Sequence, residues 1–470
     1  MLFWLTCTLN FLFASSVTYT NLPLEEALQI VKKENLELRV ALFNEQIKEF
    51  EYQIAKGYNY GKLDLTQLAL RSNDAGNVFG FKLQSREASF ADFGFAEFLA
   101  PLGQVLEGAN QNALPAGFSS NLGTILDIQP KDLNYPDARN HFQTKLSYQV
   151  PLYTGGKLEQ YGKITQALIK LSKLDTKQIL NEKIFQVKKS YFDIFLLDAY
   201  LKNLTLIDEN IRQLEDMAQN MIAEGYAKKV DLLEVQSKRA NVTRMINKAH
   251  ANKELVYQFL SFLLNVQVQS IAGTYANLQA RDVVAQSDLQ NNIDIQKAKQ
   301  GLAITKMAID LQKASNLPEI GAFAEYGSSD NQFLNNFAKH DAYTVGVQLK
   351  WNLFNGGIDK NNIEKARVEN LKVQTQLNLA QNGIALHVAK IRTEIKSFDF
   401  DIESLHRELE LTRVIYKNYL GRYQEKLVSI NDVIIKQSME IENILKLKEL
   451  QNARSSKILE LEKIVNGDEV

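Results

Sequence analysis

The prolines stand at Pro23, Pro101, Pro115, Pro130, Pro136, Pro151 and Pro318, leaving residues 152–317 and 319–470 without one. Proline breaks helix interiors because it lacks an N–H and clashes with the preceding turn, so two such runs predict very long helices. This outweighs the two to four globular domains that 470 residues would ordinarily suggest. Hydrophobic residues at 45% and charged residues at 23% suit neither a disordered chain nor a helical membrane bundle. Lys+Arg is 54 against 55 for Asp+Glu, a net charge of −1, which removes the electrostatic case for a nucleic-acid partner. The single cysteine, Cys7, excludes disulfides within one chain and cysteine-based metal centres.

The chain also repeats itself. Pro151-Leu-Tyr-Thr-Gly155-Gly156 matches Asn352-Leu-Phe-Asn-Gly356-Gly357 at an offset of 201, which Asp231/Asp432 and Gln236/Gln437 keep. Upstream, Asn35-Leu-Glu-Leu matches Asn292-Ile-Asp-Ile at an offset of 257, kept by Ala41/Ala298, Ile47/Ile304 and Lys56/Lys313. The difference, 56 residues, is an insertion in the first copy between about 71 and 141. It holds four of the prolines and much Gly, Asn, Ser and Phe, so it reads as irregular loop. The copies are therefore 17–286 and 287–470.

Each copy predicts a helix (24–57 and 287–316) ending at Gly57 or Pro318, then a short strand (61–70 and 319–327). A second strand alternates with period two. In 142–153, Phe142, Thr144, Leu146, Tyr148, Val150 and Leu152 share one face. In 343–353, Tyr343, Val345, Val347, Leu349, Trp351 and Leu353 do so, in the same phase. Eleven residues at about 3.3 Å each span about 36 Å, enough to cross a bilayer at a tilt. The pairs Gly155/Gly156 and Gly356/Gly357 permit a turn through positive φ between strand and helix. Heptad seams follow, through Leu180, Ile184, Val187 and Tyr191 onward, and through Ile384, Val388, Ile391 and Ile395 to Tyr423, with one polar lapse at Thr412. Breaks at 225–230 and 426–431 separate returning helices at 231–268 and 432–465.

Residues 2–13 are almost all apolar or small, and Ala14-Ser15-Ser16 offers a cleavage site before Val17, so 1–16 reads as an export signal. A retained hydrophobic helix is the other reading. Four membrane-length strands cannot close a barrel, and open edges are not tolerated in lipid, so the barrel must be shared between subunits. The predicted fold is mainly α with a membrane β-barrel, built from a tandem repeat of two strands plus a long helical hairpin.

In these features the chain resembles the TolC-like outer-membrane efflux proteins. The resemblance covers nearly the whole chain after the signal and rests on three things: the tandem repeat, the strand–glycine segments Val150–Gly156 and Trp351–Gly357, and the hairpin tips Glu224–Leu233 and Glu425–Ile434. It implies a homotrimer with a twelve-stranded barrel in outer-membrane lipid of a Gram-negative bacterium, joined to a twelve-helix periplasmic tunnel. It further implies docking on a periplasmic adaptor (membrane fusion protein) and an inner-membrane transporter, in tripartite efflux or type I secretion. Asp231, Asp432 and Tyr423 would form the periplasmic gate, with Tyr423 bonding across hairpins. Gly225, Lys228, Lys229, Lys426 and Val428 would touch the adaptor. The second tip departs from the pattern by placing Lys426 where the first has Gly225, and Ile435 stands where some members carry a further acid.

Each residue also has a plainer role. Asp231, followed by Glu234, and Asp432 can cap returning helices; Tyr423 can be the last seam residue; exposed lysines are usually only solvated. The histidines His141, His250, His340, His387 and His406 are dispersed, without metal spacing. Thr154-Gly-Gly-Lys157 lacks the first glycine of a phosphate-binding loop, since Pro151 stands there. No enzyme, cofactor or metal is expected. The alternatives are a periplasmic adaptor or a structural coiled-coil envelope protein, but neither needs amphipathic strands together with two hairpins.

Overall fold

The computed structural model describes residues 18–107, 117–273 and 288–465, so the export-signal segment and Cys7 lie outside the described residues. Its element order repeats. A helix pair, α1 (Leu24–Glu34) and α2 (Leu36–Gly57), leads to β2 (Lys62–Ser72) and β3 (Arg139–Tyr153). Then come α7 (Lys157–Ala223) and α8 (Lys229–Leu264). In the second copy α9 (Ile293–Ala314) leads to β5 (Glu319–Asp330), β6 (Asp341–Lys350), α10 (Ile358–Gln424) and α11 (Ile430–Val465). The two outgoing helices have 67 residues each and the two returning helices 36 each. At about 1.5 Å per residue the longer pair reach about 100 Å apiece. A short parallel pair, β1 (Thr18–Tyr19) with β4 (Gln267–Val268), ties the N-terminal segment to the chain after α8.

The first helix does not run unbroken over 24–57. It stops at Glu34 and restarts at Leu36, because Asn35 leaves helical geometry and its Oδ1 accepts the Leu38 N–H at 2.9 Å. The buried Asn35 then donates from Nδ2 to the Leu263 carbonyl at the end of α8, at 2.7 Å. Asn292 does the same in the second copy. It accepts from Asp294 and Ile295 N–H and donates to the Ile464 carbonyl at the end of α11, at 3.0 Å. The two acceptors, like the helix pairs they end, stand 201 apart, so each repeat closes on itself through the same asparagine.

The chain divides into two compact units. One gathers the described residues of Met1–Phe50, Gln166–Lys306 and Arg367–Val470. In it the predicted seams are buried: Val187, Ile194, Leu204, Ile211 and Leu214 in α7, and Val388, Ile391, Leu405 and Leu409 in α10. Residues of α7, α8, α10 and α11 share one core toward the hairpin tips. The polar lapse at Thr412 is satisfied, since its Oγ1 donates to the Glu408 carbonyl at 2.7 Å and accepts from Asn443 Nδ2 at 3.2 Å. No helix among the described residues is long and apolar enough to cross a membrane.

The other unit, Glu51–Thr165 with Met307–Ala366, is built on a four-stranded antiparallel sheet of order β2-β3-β5-β6. Its register puts Leu63 and Leu65 beside Tyr148 and Leu146, these beside Ala324 and Tyr326, and these beside Val345 and Tyr343. Residues directly opposite share a face, so this face is apolar on every strand. Val345 and Val347 are each 67% exposed on it. The other face carries Asp64, Lys145, Ser147, Gln149, Glu325 and Gln348, with Lys145 Nζ 3.2 Å from Glu325. Both edges, β2 and β6, are unpaired among the described residues, and the sheet does not close. β6 ends earlier than predicted: Trp351 lies past it and donates Nε1–H to the Asn316 carbonyl at 3.0 Å.

All four junctions with long helices lie at one end of the sheet, and the β2–β3 and β5–β6 connections at the other. The first of these, the insertion, is not the irregular loop predicted. Its described residues hold α3 (Ala75–Gln84), α4 (Phe95–Leu106), α5 (Phe118–Leu126) and α6 (Lys131–Asn134). Asp74 caps α3 by accepting the Asn77 N–H at 3.0 Å. Turn-forming residues had hidden this helix content, because here they cap and join short helices instead of replacing them.

Candidate functional site

The hairpin tips are short and built alike. At the first, the Gly225 N–H bonds the Ile222 carbonyl and the Tyr226 N–H bonds Met221; at the second, Lys426 bonds Tyr423 and Leu427 bonds Arg422. This is the Schellman pattern, whose pivot residue must be left-handed. Gly225 takes φ +79° and Lys426 φ +62°. The substitution seen in the sequence therefore places a side chain where glycine is preferred, at a cost of about 1–2 kcal/mol. Lys426 has compensation: its Nζ lies 3.4 Å above the Tyr226 ring and 3.7 Å from Glu224, so it clasps one tip to the other.

Both tip aspartates are third residues of their returning helices. Asp231 accepts the Lys228 N–H at 2.7 Å and does not begin α8 itself. Asp432 accepts the Ser429 N–H at 3.1 Å and the Ser429 hydroxyl at 2.7 Å, and that hydroxyl also lies 3.2 Å from the Asp432 N–H, completing a capping box. The Ser429 side chain and then its backbone N–H hold the Asp432 carboxyl below its ordinary range. Neither aspartate reaches Tyr423. The Tyr423 ring is buried in the core, and its hydroxyl has no hydrogen-bond partner among the described residues. Burial first, and the Asp231 charge second, push that hydroxyl's pKa up. Within one chain Asp231 bonds its own helix start instead.

Two further polar groups in this region were not anticipated. The Tyr416 hydroxyl and both ends of the Gln437 amide are buried and unpartnered among the described residues. Burial, with the Glu440 charge, pushes Tyr416 up to about 12. Gln236, the repeat partner of Gln437, instead bonds Glu215 at 2.9 Å. Sequence comparison of the copies pairs the two glutamines but does not reveal that one is enclosed. Lys228 and Lys229 are exposed, whereas Val428 packs against the tip core.

In the sheet unit, Gly155, Gly156, Gly356 and Gly357 take φ of +64°, +87°, +67° and +84°. At Gly155 a Cβ would come within 2.6 Å of the Ala314 carbonyl oxygen, so both conformation and space call for glycine.

Residues 284–433, from the start of the second copy through its tip, match the family described as outer membrane efflux protein. The alkaline protease secretion protein AprF of Pseudomonas aeruginosa is 20% identical over 227 residues, covering 46% of this chain. The match spans about half, 47%, of that curated relative. The fold is similar to the solved structure of CusC, with a TM-score of 0.75 at 15% identity, covering 94% of this chain and 91% of that one. It is similar to the Campylobacter jejuni CmeC outer membrane channel at TM-score 0.73 and 14% identity, covering 94% and 85%. The Neisseria gonorrhoeae MtrE outer membrane channel in its open state gives 0.70 at 14% identity, covering 94% and 88%. The three solved structures are all described as channels. The matched segment and the shared fold both agree with the resemblance to the TolC-like outer-membrane efflux proteins.

Proposed function

We propose that this protein is the outer-membrane exit duct of a tripartite efflux or type I secretion system, passive in itself. It works as a homotrimer whose shared twelve-stranded barrel sits in outer-membrane lipid. A periplasmic adaptor docks on the hairpin tips, and an inner-membrane transporter supplies the energy. The observation that carries this reading is the four-stranded sheet with one apolar face, one polar face and two open edges. In lipid every backbone group must be satisfied, so such a sheet is viable only when neighbouring copies complete a closed barrel. The polar face then lines the conduit.

At the entrance, the Lys426–Tyr226–Glu224 clasp holds the two hairpins of one chain together. Few buried contacts oppose movement where the helices end, so the clasp need supply only modest energy. Asp432 and its copies add negative charge, giving cations preference. Lys228 and Lys229 are the exposed adaptor contacts.

Purified protein in mild detergent should run as a heat-dissociable trimer and conduct ions in a planar bilayer. A monodisperse monomer that still conducts overturns the shared barrel; a trimer that never conducts, even with the tip clasp removed, overturns the duct.

A further inference from the structure

The insertion between β2 and β3 chooses a side of the sheet. Phe81 of α3 stacks flat on His141, with ring centroids 4.1 Å apart and planes at 6°. His141 alternates in phase with Gln143, Lys145 and Ser147, so it belongs to the polar face, and both rings are buried. Arg139 has the same phase. It bonds Ser85 Oγ at 2.9 Å and forms an ion pair with Glu87, both just past α3.

Further described residues of the insertion are tied to α3 and to one another. Phe79 meets Phe93 edge-on at 5.1 Å, and Lys82 pairs with Asp92, whose carboxyl this lysine holds down to about 2. The Lys131 N–H donates to Glu97 at 2.8 Å, joining α4 to the start of α6. A lipid-facing anchor would attach through the apolar face; this assembly attaches through the polar one.

We propose that the described helices of the insertion form a plug folded onto the pore-lining face at the end of the sheet remote from the helices, narrowing the conduit's outer mouth and so limiting cargo size. The inference rests on the conduit reading above. Arg139, Glu87 and the Phe81–His141 stack are the latch. A plug on a latch of non-covalent contacts opens as a minor population, so it retards large solutes more than small ones.

The test uses a cysteine on the polar face below the plug, Ser147→Cys, in full-length protein on intact cells, with the wild type, whose only cysteine is Cys7, as background. The probe is a maleimide carried on a long polyethylene glycol chain. Ser72 and Arg139 face each other in register, so a two-residue Asn-Gly turn can replace 73–138 and close the hairpin. Labelling of Ser147→Cys should then rise at least about tenfold, while a small maleimide reacts at similar rates with and without the insertion. Phe81→Ala, which leaves the strands intact, should raise labelling by the large probe several-fold and serves if the shortened protein does not assemble. Equal, rapid labelling by the large probe in all forms overturns the plug but leaves the conduit standing. No labelling of Ser147→Cys by either probe in any form overturns the conduit reading and the plug with it.

Discussion

Replacing Tyr423 with phenylalanine separates two accounts of the hairpin tips by sign. If the hydroxyl locks the entrance through a hydrogen bond, its loss weakens the closed state. In this structure the ring is 4% exposed and the hydroxyl is buried without a partner among the described residues. A buried, unsatisfied hydroxyl costs about 1–3 kcal/mol relative to its apolar counterpart. Phenylalanine keeps the ring's packing against the shared tip core and deletes only that cost, so Tyr423→Phe should stabilise by about 1–3 kcal/mol. Each kcal/mol moves the midpoint by about 2–4 °C in a domain of 150–250 residues, and by less in a unit as large as this one. The assay is trimer dissociation on semi-native gels across a temperature series, paired with resting conductance in a planar bilayer. The expected outcome is a higher dissociation temperature with resting conductance unchanged or lower. A pH series adds a check. The tyrosine's raised pKa means its neutral form is favoured in the fold, so this stability is present below the unfolded value of about 10 and is lost as pH rises toward the folded value. The phenylalanine variant should lack that alkaline loss. A lower dissociation temperature together with raised conductance would refute the reasoning and restore the hydroxyl as a lock.

The clasp should respond differently. Tyr226→Ala removes a cation–π contact of about 0.5–1 kcal/mol and should raise resting conductance. Lys426→Gly also releases left-handed strain, so it should open the tips without lowering trimer stability; a marked loss of stability would count against the strain. Asn292→Ala leaves the Ile464 carbonyl and two helix-start N–H groups short of partners and should cost about 1–3 kcal/mol, measured by chemical denaturation, with Asn35→Ala close behind. Val347→Arg should impair insertion by about 2–4 kcal/mol near the bilayer midplane while Gln348→Arg assembles normally; equal defects reverse the face assignment. Asp432 has a depressed pKa, so its contribution holds above the unfolded value of about 3.9 and fades as pH falls through the folded value. Ser429→Ala should flatten that acid limb of the stability profile.

What the sequence made legible was what is local and periodic. Proline-free runs and heptads depend only on neighbours along one helix, and they pointed to the two long outgoing helices that the structure shows as α7 and α10. Strand alternation likewise gave the faces of β3 and β6, and the register carries the same face between them through β5. The break at Asn35 was missed because asparagine inside an apolar period is compatible with helix. The signal was present, since Asn292 repeats it before the same Leu/Ile–acid–Leu/Ile spacing, but its meaning lies in a carbonyl more than 200 residues away. The seam placed Tyr423 inside, but its unpartnered hydroxyl and the enclosed Gln437 amide could not be read. Whether a seam residue's polar end meets a partner is decided by four helices at once, not by any one of them.

The antiparallel order β2-β3-β5-β6 has a consequence for the shared barrel proposed above. Four strands is an even number, so the last runs opposite to the first. When rotation about a barrel axis brings β2 of one copy beside β6 of the next, the seam is antiparallel like every pairing within the chain. The same ladder therefore continues across the boundary. An odd count would have forced a parallel seam, with slanted and slightly weaker bonds, at every junction. Each repeat contributes one hairpin of strands, so duplication of the unit preserves this parity. Loss of a single strand would change the direction of the joint, not merely the circumference.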